Sequence, residues 1–311
     1  MTSDGQENRG RRHRDERDAL LANHHHDYNS YITFDDSHGA PAKPSSPSRL
    51  EQTKHHLNAS VSSRWTDLVL IICFAISGLI DSGAYNAYSC FTSMQTGNTV
   101  FAALGVSDLP ISSPKYAWTK SVTSVVSFLA GAGVIGVFHR FFGERKRWVL
   151  SVSFAVQAFL VAAAAYLVDS ERSSGSPVKK QWVTGLPADP GFPWMDLVPI
   201  GLLSFQAAGK VTVSRVFQTP GLPAVVLTTL YNDVMSDPKT FTAGLFDNSK
   251  RNGRVAGLVF YFAGAVAGGA FARSPVGFSG LLYTAAGIQL IIVLIWMMWQ
   301  EDEESKNDLE T

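Results

Sequence analysis

The chain is 311 residues long, 46% hydrophobic, with 26 basic and 26 acidic side chains and two cysteines. No basic stripe stands out from its loops, which argues against a nucleic-acid partner. Cys73 and Cys90 both fall in one apolar stretch and read as small packing residues rather than a disulfide or a metal site.

A mean hydropathy of +0.06 blends three unlike regions. Residues 1–64 are rich in Ser, His, Arg, Asp and Pro and lack helical apolar periodicity, so they read as a disordered N-terminal tail. Within it, His24–His26 is a His-rich tract without fixed geometry, and Glu16-Arg17-Asp18-Ala19-Leu20-Leu21 matches the loose pattern of an acidic dileucine sorting signal. No apolar run precedes residue 65, so no cleavable signal peptide is expected and the first spanning helix must insert itself.

From 65 to 299 the chain reads as a polytopic membrane domain. Six apolar segments, at about 66–90, 116–138, 148–168, 195–217, 254–273 and 278–299, match the roughly 20 residues that cross a hydrocarbon core. Two shorter apolar pieces, at about 96–106 and 222–235, are interrupted by Gly, Pro and polar residues, with Pro220 and Pro223 breaking the second. They read as broken or re-entrant helices, which are tolerated where protein covers their free backbone groups. Residues 300–311 form an acidic C-terminal tail.

The loops set the orientation. Arg140, Arg145, Lys146 and Arg147 crowd the 139–148 link, and Lys239, Lys250, Arg251 and Arg254 mark 236–254. Lys and Arg collect in cytoplasmic loops, which puts both links and, by the parity of six crossings, both tails in the cytosol. The expected fold is thus all-α, with six spanning helices plus two short broken ones. Each half then reads as long helix, short piece, helix, helix. Three crossings per half would invert one half relative to the other, an arrangement many secondary transporters use. The alternative, in which both short pieces span, gives eight crossings and a parallel repeat.

Polar residues inside these segments are the candidate site. Asp81 sits near the middle of the first, where a carboxylate must face the bundle and find a partner. Lys210, about 10 Å from its helix end at 1.5 Å per residue, is the natural partner, with snorkelling to the surface as the alternative. Arg215 and Lys120 lie close enough to helix ends to snorkel. Thr96-Gly97-Asn98 offers backbone that can unwind at Gly97. A helix starting near 99 would point its N-terminal dipole at that spot, with Asn98 as its cap. Gln206 can face the same cavity.

Gly78-Leu79-Ile80-Asp81-Ser82 and Met94-Gln95-Thr96-Gly97-Asn98-Thr99 carry a resemblance. Together they resemble the YoaK-like family of polytopic membrane proteins, a domain of unknown function found in bacteria and fungi, and the chain looks like a fungal-type member. The family pattern is G-x-x-D-A in the first helix, where this chain has Ser82, and M-x-T-G-N-T before a short helix. In the second half the resemblance rests on Gln206 alone, and Thr228-Thr229-Leu230 echoes T-G-N without its glycine. It implies an architecture over about 65–299 and no activity.

Gly264 and Gly268 form a GxxxG packing face, within one chain or between copies in a homo-oligomer, and Gly131, Gly133 and Gly136 are expected to act likewise. Trp118, Trp148, Trp194, Trp296 and Trp299 lie near helix ends and read as interfacial anchors. No HExxH, GxSxG or P-loop pattern occurs, and seven of the eight histidines lie in the N-terminal tail, so no enzyme and no cofactor or metal is expected. The expected function is a small-solute transporter in the lipid bilayer, proton-coupled through Asp81, with an unidentified cargo. A non-transporting scaffold or sensor is the alternative, and plasma and vacuolar membranes are not distinguished.

Overall fold

A computed structural model describes residues 48–109, 116–173 (only the backbone of 171–173), 194–217, 222, 227–244 and 247–302. The described residues form nine helices and no strand. These are α1 (Arg49–Asn58), α2 (Thr66–Tyr88), α3 (Gln95–Val106), α4 (Ala117–Phe142), α5 (Arg147–Ser173), α6 (Trp194–Phe217), α7 (Leu227–Met235), α8 (Ser249–Ala272) and α9 (Gly277–Met297). Helices α2, α4, α5, α6, α8 and α9 are long and apolar enough to cross a membrane, and α3 and α7, of 12 and 9 residues, are not. His24–His26, the 16–21 pattern, Pro220 and Pro223 lie outside the described residues.

Local chemistry sets several helix ends. Ser89, at φ 54°, closes α2 by donating its N–H to Tyr85 O, and Gly143, at φ 101°, closes α4 with a bond to His139 O. Asn248 caps α8, its side chain accepting from Arg251 N. Just before that cap, Asp237 accepts from the Asn248 amide and from Lys239 N, and these bonds hold its carboxyl below the usual carboxylate range.

Contacts sort the helix ends into two groups. At one end, Arg147 donates to His56 O and Trp299 O, Trp299 Nε1 donates to Ser62 O, and Ser60 and Val61 bridge to Lys146 and Glu301. At the other, Lys120 at the start of α4 pairs with Asp196 at the start of α6 and lies over Tyr88 at the end of α2. Asp169, late in α5, accepts from Ser279, early in α9. The crossings therefore alternate. The tail end is more ordered than the sequence implies: residues 49–62 form α1 and a pairing strap, and Gln300–Asp302 join it, so the body extends past both expected boundaries.

The short helices both double back. Asn98 of α3 reaches Ser124, well inside α4, while Gly105 packs on Trp118 at its start. Leu230 of α7 packs near Gly257, deep in α8, while Arg254 nearer the end of that helix holds Asp233 O. Each short helix thus has its N-terminal end deeper than its C-terminal end. That is re-entrant geometry.

The packing partners obey a swap. Pairing α2 with α6, α3 with α7, α4 with α8 and α5 with α9 turns each helix contact from α2 onward into another observed contact. The α2–α8 interface becomes α6–α4, α3–α4 becomes α7–α8, and α2–α9 becomes α6–α5, while α2–α6 and α5–α9 map onto themselves. One chain offset carries Cys90 to Leu222, Asn98 to Leu230 and Gln157 to Gln289. All six are buried. With three crossings per half, this is the inverted repeat, and the parallel eight-span alternative is excluded by the re-entrant pieces.

Close approach at two interfaces needs glycine. A Cβ on Gly264 would collide with the Ala75 carbonyl, one on Gly78 with the Tyr261 carbonyl, and one on Gly268 with Ser82. The GxxxG face thus packs α8 on α2 within one chain. Gly131 makes the matching approach of α4 to Phe205 O in α6, whereas Gly133 meets nothing within 4 Å. Trp296 is not an interfacial anchor: it is fully buried and stacked on Phe217 at 5.5 Å.

Candidate functional site

Two polar clusters occupy the bundle. The first surrounds Asp81, which is 1% exposed on α2. The α2–α3 link returns into the bundle and presents its donors to this carboxylate. Oδ1 accepts from Thr92 N, Thr92 Oγ1 and Ser93 N, each at 2.9 Å, and Oδ2 accepts from Ser93 Oγ and from Tyr261 Oη at 3.2 Å. Asp81 therefore ties the start of the re-entrant helix to α2 and α8.

Asn98 holds the same link from the other side. Its Oδ1 accepts from Phe91 N at 3.0 Å, and its Nδ2 donates to Phe91 O at 2.7 Å and to Ser124 Oγ at 2.8 Å. Ser124 continues across to Ser204 on α6, 2.8 Å away. Helix α3 starts at Gln95 with Met94 in the cap position, so Asn98 is a helical residue reading the preceding backbone rather than the N-cap. Gly97 sits inside the first turn against the Phe91 ring, not at an unwound break, and Thr96 is exposed, outside the cluster. In the other half, Leu222, Leu230, Phe74 and Gly257 fill the matching space with apolar groups. Among the described residues, Ser214 Oγ donates to Leu222 O and Arg254 to Asp233 O there, and no buried carboxylate or amide like Asp81 or Asn98 holds that link.

The second cluster joins α5, α6 and α9. Lys210 is 1% exposed, and its Nζ donates to Gln206 Oε1 one turn earlier at 3.2 Å. Gln289 Nε2 donates to the same oxygen at 3.1 Å, and Gln206 Nε2 donates to Leu203 O. Gln157 lies flat on Gly209, where a Cβ would strike its amide. No carboxylate among the described residues reaches within 4 Å of Lys210, so its expected partner, Asp81, is instead held by its own donors. Lys120 pairs with Asp196, and Arg215 is exposed as snorkelling requires. A charge at the bilayer centre costs about 2.5–3.5 kcal/mol on insertion scales, and Asp81 acts on Lys210 as a negative charge without touching it.

Of the candidates, the structure brings Asp81 and Asn98 into one network, Gln206 and Lys210 into another, and leaves Thr96 in neither. Sequence reasoning missed Thr92, Ser93, Tyr261 and Ser124, whose roles depend on the link folding back. It also missed Gln157 and Gln289. Their signal was present: two amides in otherwise apolar spans at matching places in the two halves. A groove between α2, α8 and α9, lined by Ile72, Ile76, Leu79, Phe260 and Phe271, is almost wholly apolar, and the Thr284 hydroxyl at its edge is bonded to Gly280 O.

Among known families, residues 69–295 match the one described as "Protein of unknown function (DUF1275)". No curated protein and no solved structure matches the chain.

Proposed function

The chain belongs to the DUF1275 family, which supplies an architecture and no activity, and on that premise we propose that it is a small-solute carrier. The observation that carries this reading is Lys210, a fully buried lysine with no carboxylate partner among the described residues, held by Gln206 where α5, α6 and α9 meet. Midplane sites between inverted halves are where secondary transporters hold their cargo. We place the cargo at Lys210, Gln206 and the two matching glutamines. Asp81 and Asn98 serve as the anchor of a re-entrant helix beside it, and proton coupling through Asp81 would require that anchor to open.

We also read the chain as a YoaK-like member of fungal type on its G-x-x-D and M-x-T-G-N-T stretches, with both tails cytosolic on the positive-inside pattern. The test is flux. Proteoliposomes holding the full chain should accumulate at least one of a panel of labelled organic acids, amino acids, sugars and inorganic ions above protein-free vesicles, and Lys210→Met should remove that excess. If no solute enters faster than into empty vesicles, the scaffold reading replaces this one. That second reading has an observation in its favour: among the described residues, Asp81 spends its bonds on Thr92, Ser93 and Tyr261, all within the fold.

A further inference from the structure

The Lys210 centre has unmatched polarity of both signs. An ammonium carries three N–H donors, and Lys210 uses one of them on Gln206. Gln157 Oε1 and Gln289 Oε1 are buried acceptors with no donor among the described residues, although both residues are fully buried. Gln289 is tied to the lysine through Gln206 Oε1, and Gln157 rests on Gly209, the residue before Lys210. A cation and two undonated amide oxygens from opposite halves thus lie at one buried junction. Buried amide oxygens are rarely left without donors.

We propose that this centre binds a small organic molecule with a single carboxylate and a hydroxyl or ammonium group, that is, a hydroxy- or amino-carboxylate. The carboxylate neutralises Lys210 by charge-assisted hydrogen bonds; a hydroxyl donates to one of Gln157 Oε1 and Gln289 Oε1, and an ammonium, with three N–H donors, to both. The alternatives fit less well. A cation would meet the ammonium, a neutral sugar would leave it unbalanced, and a dianion would bring one charge too many. The inference rests on the carrier reading for its biological sense, but binding alone tests it.

The probes are L-lactate and glycine, with acetate as a carboxylate lacking the donor and methylammonium as a cation. Calorimetry on the full chain in nanodiscs should show saturable binding of lactate or glycine, with acetate about tenfold weaker, the loss expected for one unmet buried hydrogen-bonding group. Methylammonium should not bind. Lys210→Met should weaken lactate or glycine at least about tenfold while keeping or raising the Tm, because a buried charge with no carboxylate in contact is being removed. If Lys210→Met does not reconstitute, Gln157→Leu decides, and it should shrink the preference over acetate at least about threefold.

The proposal is overturned if neither probe binds saturably, if acetate binds as well as both, if methylammonium competes, or if the deciding variant binds as wild type. Saturable binding without flux would remove the carrier reading and leave this site. Flux of some solute that ignores Lys210→Met would leave a carrier whose cargo path avoids this centre, and would overturn the placement of the cargo at Lys210.

Discussion

Asp81 accepts from five donors, while a carboxylate offers roughly four lone-pair sites. It has no acceptor capacity to spare, and losing Oδ1 would leave the backbone N–H groups of Thr92 and Ser93 unmet. Asp81→Asn replaces an accepting oxygen by an amide that faces donors, so it should destabilise the fold by about 2–4 kcal/mol. Tyr261→Phe removes one 3.2 Å bond and should cost about 1 kcal/mol. Unfolding of the purified protein in denaturing detergent would measure both. A wild-type unfolding midpoint for Asp81→Asn would mean the carboxylate anchors nothing. At this scale the sequence was informative about which residues matter and less so about their roles. A mid-span aspartate and an asparagine in a T-G-N run are conspicuous. That they serve the α2–α3 link depends on the six residues 89–94 folding back beside them, and no local pattern encodes that.

Interfaces between elements rest on backbone approach. Gly78, Gly264 and Gly268 let α2 and α8 touch, and Tyr261 on α8 reaches Asp81 only at that separation. Gly264→Val should therefore push the helices apart, break the Tyr261–Asp81 bond and cost about 3 kcal/mol or more, beyond ordinary overpacking. Gly269→Ala is the control: nothing lies within 4 Å of its added Cβ, and its unfolding midpoint should stay within about 0.5 kcal/mol of wild type. Equal effects from the two substitutions would mean the glycine face is not what sets the helix spacing. Element existence was legible because 18 or more apolar residues have few other fates. The GxxxG spacing was legible too, but its partner was not, since small residues pack equally well within a chain or between copies. Residues 49–62 were misread as tail because their order comes from pairing with Lys146 and Glu301, far away in sequence.

For the whole molecule, the swap symmetry of the helix contacts joins two halves that are alike in path and unlike in chemistry. The first half anchors its re-entrant helix with Asp81 and Asn98, and the second packs Leu230 against Phe74 and Gly257 with apolar contacts. Parity made the inversion readable from sequence, whereas the single offset linking Gln157 to Gln289 became meaningful only once both were seen at one junction. Each end of the bundle also has its own closure: Lys120–Asp196 with Tyr88 at one end, and the Arg147–His56–Trp299 clasp at the other. A carrier of this architecture works by rocking one half against the other, so fixing one closure must stop it. In a background with Cys73 and Cys90 changed to Ala, Lys120→Cys with Asp196→Cys can be joined by a short bis-thiosulfonate linker. Flux of the transported solute into proteoliposomes should fall by about tenfold or more on linking and return on reduction, as for any step that needs the ends to open in turn. A molecule that still transports at full rate with that end covalently shut does not alternate between its two halves.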